Sequence, residues 1–387
     1  MPAAVVPERD LRLDLFRGLA LWLIFLDHIP SNVVSWITIR NYGFSDATEI
    51  FVFISGYTAA FVYGRAMLDR GFALASARIL KRAWQIYIAH IFLFAIYMAE
   101  IAYVTRSFDN PLYVEEMKVL DFLKQPDVTI IQALLLKFKP VNMDVLPLYI
   151  VLLLWFPPIL WLMLRRADLA LGVSVLVYGA MWWFRWNLPA YPSGVWYFNP
   201  LAWQLLFVLG AWCALGGAKR VRGWIRSPVA LWAAGVYLVL ALAIVLTWYF
   251  PRLAPLIPHW LAEVIYPIDK TNLDPLRILH FLALAILTVH FVPIGWPGLK
   301  SAIFRPAILC GQHSLEVFCL GVFLSFAAHF VFTEISNRVV VQVLVSLVGI
   351  VLMIAAATLA AWYKRVERRG SDSPPPGSRA GLAGGEA

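Results

Sequence analysis

Ten apolar runs, each long enough to cross a bilayer, fix what this chain can become. They cover 13–30, 47–64, 83–104, 145–164, 168–184, 199–216, 228–250, 276–293, 307–330 and 339–363. Roughly 18–25 helical residues are enough to cross ~30 Å of hydrocarbon. The pattern predicts an all-α fold, a polytopic integral membrane bundle of about ten transmembrane helices. With 61% of its 387 residues hydrophobic and only 14% charged, the chain has more apolar surface than a soluble domain of this size needs to bury.

The formal net charge of +9 does not mark a nucleic-acid surface, because the basic residues sit in short clusters between the spans. One set of loops holds Arg65, Arg70, Arg78, Lys81 and Arg82, then Arg165 and Arg166, then Lys219, Arg220, Arg222 and Arg226, then Lys300 and Arg305. The tail adds Lys364, Arg365, Arg368 and Arg369. Basic residues stay on the cytoplasmic side, so both termini are predicted to be cytoplasmic. The first span follows Arg9, Arg12 and Arg17 and ends without a small-residue cleavage site, which reads as a retained helix.

Three regions follow. Residues 1–12 form a cytoplasmic N-terminal segment, 13–366 a single transmembrane domain, and 367–387 a disordered cytoplasmic tail, too rich in Pro, Gly and Ser to pack. The long loop 105–144 is expected on the periplasmic side. Its amphipathic pieces, Glu115–Leu123 and Val128–Lys137, are broken by Pro126 and Pro140 and suit an interfacial lid. Cys213, Cys310 and Cys319 lie in apolar runs and read as buried small hydrophobes, with no disulfide framework and no metal site.

Alternating helix direction turns sequence positions into depths. Asp27 and His28 end the first span on the outer side, and Asp46 and Glu49 begin the second there. Asn142 and Asp144 open the fourth, Asn199 with Trp203 and Gln204 the sixth, and Asn272 and Asp274 the eighth. Arg277 and His280 follow three residues apart on one helix face. Carboxylates, two histidines and an arginine thus converge on one leaflet from five helices. Ionisable groups in a membrane are costly and mark function by default. A single histidine at a helix end is more often structural, and His90, His290, His313 and His329 are read that way. Glu316 is open between a buried structural acid and part of an inner cavity. Adjacent residues on a helix do not face each other, so Asp27 does not orient His28; Asp46, Glu49 or Asp274 could. Trp196, Tyr197, Phe198 and Trp203 suit either an aromatic belt or sugar stacking.

Six segments carry a resemblance: RLDLFRGLALWLIFLDHIP (12–30), RNYGFSDATEIFVFISGY (40–57), NMDVLPLYIVLLLWFPP (142–158), WYFNPLAWQLLFVLGAW (196–212), TNLDPLRILHFLALA (271–285) and GQHSLEVFCLGVFLS (311–325). Together they resemble the OpgC family, related to the acyltransferase-3 superfamily. That superfamily's Arg-Gly pair, with a His eleven residues after the Arg, is matched by Arg17, Gly18 and His28. Its aromatic SGF element resembles Phe51 to Tyr57, and its basic motif loosely resembles Arg78 to Arg82.

The resemblance implies a bacterial inner-membrane, multi-pass acyltransferase. It would transfer an acyl group, typically succinyl, from cytoplasmic acyl-CoA (succinyl-CoA) to hydroxyls of a periplasmic glucan, with no tightly bound cofactor. Glucan-synthesis proteins are candidate partners, and the proposed catalytic His carries over to His28. A neutral imidazole suits a general base for a weakly nucleophilic sugar hydroxyl. Asp46, Glu49 or Asp274 would hold its tautomer, and Arg277 or His280 would steady an oxyanion or a free succinyl carboxylate. Asp27, Asp144, Asn199, Trp203 and Gln204 complete the expected acceptor site. Arg78, Lys81 and Arg82 would hold CoA phosphates, or serve simply as positive-inside anchors. The rival class is a transporter or flippase for a sugar or anionic small molecule, using the same outer cluster. A structural subunit of a glucan assembly is a third reading.

Overall fold

The structure is a computed structural model that describes residues 10–108, 117 and 119–371. The expected N-terminal segment before residue 10, most of the expected tail, and residues 115, 116 and 118 of the first amphipathic piece lie outside the described residues. Among the described residues all regular structure is helical, apart from one isolated antiparallel bridge between Pro189 and Val195.

Helix α1 spans Leu11–His28, and α2 spans Ala47–Phe108, bending at Gly71. Short helices α3 (Leu120–Lys124) and α4 (Pro126–Leu134) follow. Pro126 therefore starts a helix, its missing N–H falling where no intrahelical partner exists anyway. Then come α5 (Val145–Arg165), α6 (Ala167–Phe184) and α7 (Pro200–Trp212), which passes through a π-helical turn into amphipathic α8 (Ala218–Ile225). The remainder is α9 (Pro228–Tyr249), α10 (His259–Ile265), α11 (Pro275–Phe291), α12 (Arg305–Gln312), α13 (Ser314–Phe330) and α14 (Val339–Ser371).

Among the described residues, seven stretches are long and apolar enough to cross a membrane. The one at Ala47–Ser107 counts once although it turns at Gly71. Helix α1 falls outside that group because it carries Arg12, Asp14, Arg17 and Asp27, and α11 because it has only 17 residues. The expected continuous run 307–330 is divided in two: at His313 (φ −117°, ψ 42°) the backbone leaves helical geometry between α12 and α13.

Packing explains which helices face lipid. Helix α2 lies against α5 and α7, and α1 lies against α12, α13 and α2. In the second of these contacts Gly18 and Gly311 have no room for side chains: a Cβ on Gly18 would sit 1.8 Å from the Ala307 carbonyl oxygen, and one on Gly311 1.9 Å from that of Asp14. Small residues let membrane helices approach at backbone distance. By contrast α6, α9 and α14 are apolar yet mostly unburied, with Trp183 and Trp232 projecting outward. A helix apolar on every side needs apolar surroundings, and here lipid provides them.

Candidate functional site

The polar ends named by the sequence meet around one open cavity of about 970 Å³. Its wall takes Asp27 and His28 from the end of α1, Gly43 to Asp46 from the turn before α2, and Lys137 to Asp144 from the segment before α5. Tyr191, Tyr197 and Phe198 come from the segment before α7, Trp248 and Tyr249 from the end of α9, and Lys270 and Arg277 from the start of α11.

Asp46 caps α2. Its Oδ1 accepts from Thr48 N (2.8 Å) while Glu49 Oε2 accepts from the Asp46 N–H (2.9 Å). This reciprocal pair satisfies two donors that a helix start leaves over. The same two carboxylates bind cations from another helix. Arg277 Nε donates to Glu49 Oε1 at 2.7 Å and its Nη2 to Asp46 Oδ2 at 3.1 Å, and Lys270 Nζ lies 2.6 Å from that Oδ2. Glu49 is fully buried, and Asp46 and Arg277 nearly so. Burial opposes ionisation of Asp46, but Lys270 and Arg277 outweigh it and hold the carboxyl below the usual carboxylate range. Burial likewise works against the Lys270 ammonium, and Asp46 reverses it, so its pKa is raised.

Lys270 is placed by residues behind the wall. Trp203, fully buried, donates from Nε1 to the Lys270 and Thr271 carbonyls (3.2 and 3.3 Å), and Tyr178 donates to Leu273 O (2.7 Å). Asn199 caps α7 through Leu201 N (3.1 Å) and donates to Asn272 Oδ1 (2.8 Å) and Trp186 O (2.7 Å). Gln204 binds Ser174 through both its amide ends and so joins α7 to α6. The Lys270 ammonium lies 5.5 Å from the Phe198 ring centroid and 6.0 Å from that of Tyr197.

His28 lies on the cavity wall. Its carbonyl accepts from Asn142 Nδ2 at 3.1 Å, and its Nδ1 is buried with no hydrogen-bond partner among the described residues. The expected carboxylate partners lie elsewhere: Asp46 and Glu49 bind Arg277, and Asp274 caps α11 through Leu276 N (2.8 Å). Asp27 accepts from Thr38 Oγ1 at 2.7 Å. His280 is off the wall, behind Gly43, pairing with Ser45 Oγ through Nδ1 (2.7 Å). A Cβ on Gly43 would fall 1.8 Å from His280 Nε2, so any larger residue there would have to displace the His280 ring.

The site therefore has two layers. Asp27, His28, Asp46, Asp144 and Arg277 are on the wall, while Glu49, Asn199, Trp203, Gln204, Asp274 and His280 stand behind it. Four wall cations did not emerge from the sequence as site residues: Arg40, Lys137, Lys139 and Lys270. The polar run Asp269 to Asp274 was a signal for the last of these, and the Lys-Phe-Lys at 137–139 before Pro140 a weaker one for Lys139.

Arg78, Lys81 and Arg82 are far from this cavity. The 47–70 arm of α2 leads ~36 Å away from Asp46 at 1.5 Å per residue, and the three lie just past the bend. Arg78 and Lys81 are exposed, while Arg82 is half-buried and donates to Gln85 Oε1 at 3.4 Å. Near that end Lys364 Nζ lies 3.7 Å from Glu316 Oε1 and 3.4 Å from His313 Nδ1.

Apolar helices with three buried charges, Asp46, Glu49 and Arg277, gathered at one end define a polytopic membrane protein built to handle a polar group at the membrane face. A family model described as OpgC protein matches residues 9–365, nearly the whole chain, and the chain belongs to that family. Membership suggests an acyltransferase for periplasmic glucans. No curated protein and no solved structure matches the chain.

Proposed function

We propose that the chain is a transmembrane O-acyltransferase with ten membrane crossings and both termini in the cytoplasm of a bacterial inner membrane. The polar cavity then opens to the periplasm. It would accept a glucan hydroxyl there and an acyl group, typically succinyl, from cytoplasmic acyl-CoA. The observation that carries this reading is His28, an imidazole on the wall of a cavity large enough for sugar units, with a buried ring nitrogen that has no hydrogen-bond partner among the described residues.

In this reading the imidazole takes the proton of a glucan hydroxyl as its oxygen attacks the thioester carbonyl carbon. The carbon–oxygen bond forms, the carbon–sulfur bond breaks, and the proton leaves with the CoA thiol. Asn142 positions His28 through its main chain. The aromatic rings beside Lys270 offer a stacking floor for sugar. Asp46, Glu49 and Arg277 act as a rigid anchor, and Arg78, Lys81 and Arg82 receive donor phosphates at the opposite face.

The test is label transfer from succinyl-CoA into glucan by the purified protein in lipid nanodiscs, alongside a His28→Ala variant shown to be folded. The expected loss is at least ~100-fold, the typical share of a general base. Full activity in the variant would sink the assignment. Movement of glucan across a vesicle without label would favour a transporter instead.

A further inference from the structure

Five cations line the cavity wall, Arg40, Lys137, Lys139, Lys270 and Arg277, and the last two differ in kind from Arg40 and Lys139. Lys270 and Arg277 are bound by Asp46 and Glu49 at hydrogen-bond distance, so their charge is already answered. Among the described residues, Lys139 and Arg40 are not held that way. Lys139 Nζ lies 3.9 Å from the centroid of the buried Trp196 ring and donates to one neutral group, the Leu136 carbonyl at 3.2 Å. A cation over an aromatic face keeps its charge available while its position is fixed. The backbone beneath it is pinned as well, since Tyr191 N donates to Lys137 O at 3.0 Å. Arg40 also lines the wall and makes one long hydrogen bond among the described residues, Nη1 to the carbonyl of Asp27, the residue before His28, at 3.5 Å.

A neutral sugar needs no such cations; an anion does. Resting on the acyl-transfer reading, we propose that Lys139 and Arg40 form the specificity-determining receptor for a free carboxylate on the acyl group, selecting a dicarboxylic acyl donor over a neutral one. The geometry favours the acyl group over the acceptor as the source. Arg40 flanks His28, where the reacting carbonyl must come, and in a short dicarboxylic acyl chain the second carboxylate follows that carbonyl after a brief methylene arm. A guanidinium and an ammonium lining one cavity would take its two oxygens by charge-assisted hydrogen bonds.

The experiment uses the full chain in nanodiscs with two donors of equal length, succinyl-CoA and butyryl-CoA, and a neutral glucan acceptor. Lys139→Gln and Arg40→Gln should each reduce the succinyl-to-butyryl rate ratio by about tenfold, the weight of one charge-assisted hydrogen bond, and Lys139→Arg should restore it. An unchanged ratio, or an equal loss with both donors, overturns the inference. So does a variant whose discrimination changes only between neutral and anionic glucan acceptors. Calorimetric binding of glucose 6-O-succinate against glucose 6-O-butyrate gives a readout independent of turnover. If wild type transfers neither acyl group yet binds the succinate ester more tightly, and Lys139→Gln loses that preference, the acyl-transfer reading fails while the receptor stands. Equal binding of both esters by wild type overturns the receptor.

Discussion

The Arg277 guanidinium lies 2.6 Å from Glu49 Oε1, and through that contact the start of α11 is fastened to the first turn of α2. Both partners are buried, so neither charge has water to fall back on. Arg277→Ala should therefore strip the anchor from a fully buried carboxylate and destabilise the protein by ~3–5 kcal/mol. Thermal unfolding in detergent, followed by size-exclusion chromatography, measures this. A variant that melts with wild type would mean the cluster does not hold these helices together.

Asn142 offers a finer probe, because it grips the His28 main chain and leaves the ring alone. Asn142→Ala should lower kcat several-fold, leave the acceptor KM unchanged, and cost about 1 kcal/mol of stability, the net value of a typical hydrogen bond. A rise in KM with unchanged kcat would place Asn142 in substrate binding instead.

The turn under His280 tests packing. Gly43→Ala brings a methyl group onto His280 Nε2, and overpacking of this kind costs ~1–3 kcal/mol. His280→Ala removes the obstacle. The double variant should be more stable than the sum of the two single changes predicts, because contacting residues are not additive. Additive losses measured by thermal unfolding would show that the turn relaxes without meeting the imidazole.

These relationships show where sequence is informative and where it stops. Helix direction alone brings Asp27, His28, Asp46, Asp144 and Arg277 to one end, because span length and alternation fix depth. Which of them touch was not legible. A polar residue at a helix start has two uses, capping and binding, and residue type does not separate them. Asn199-Pro200 and Asp274-Pro275 did carry a sign of the first use, since Pro favours the position just after a cap. Both residues do cap their helices. Trp203 looked like belt or sugar platform and instead supports the Lys270 carbonyl. Arg40, Lys139 and Lys270 sit on connections whose path follows no period, so the polar run around Lys270 and the Lys-Phe-Lys around Lys139 were weak pointers to the cavity and Arg40 had none. The break at His313 was hidden for a related reason: hydropathy continues through it although helical geometry does not.

Lys139 supplies a prediction in pH. Burial pushes its ammonium down to about 8, only partly offset by Asp144. The protonated form, which can hold a carboxylate, therefore dominates below pH 8 and is lost as pH rises through that value. The neighbouring Lys270 stays charged over this range, because Asp46 raises its pKa. Preference for succinyl over butyryl transfer should accordingly fall between pH 7 and pH 9 with a midpoint near 8. Using the ratio of two donors cancels pH effects on His28 and on the common chemical step, leaving the charge that only one donor needs. Lys139→Gln should give a low, flat ratio across the range, and Lys139→Arg a high, flat one. A wild-type ratio that does not change between pH 7 and pH 9 would show that Lys139 does not read the acyl carboxylate.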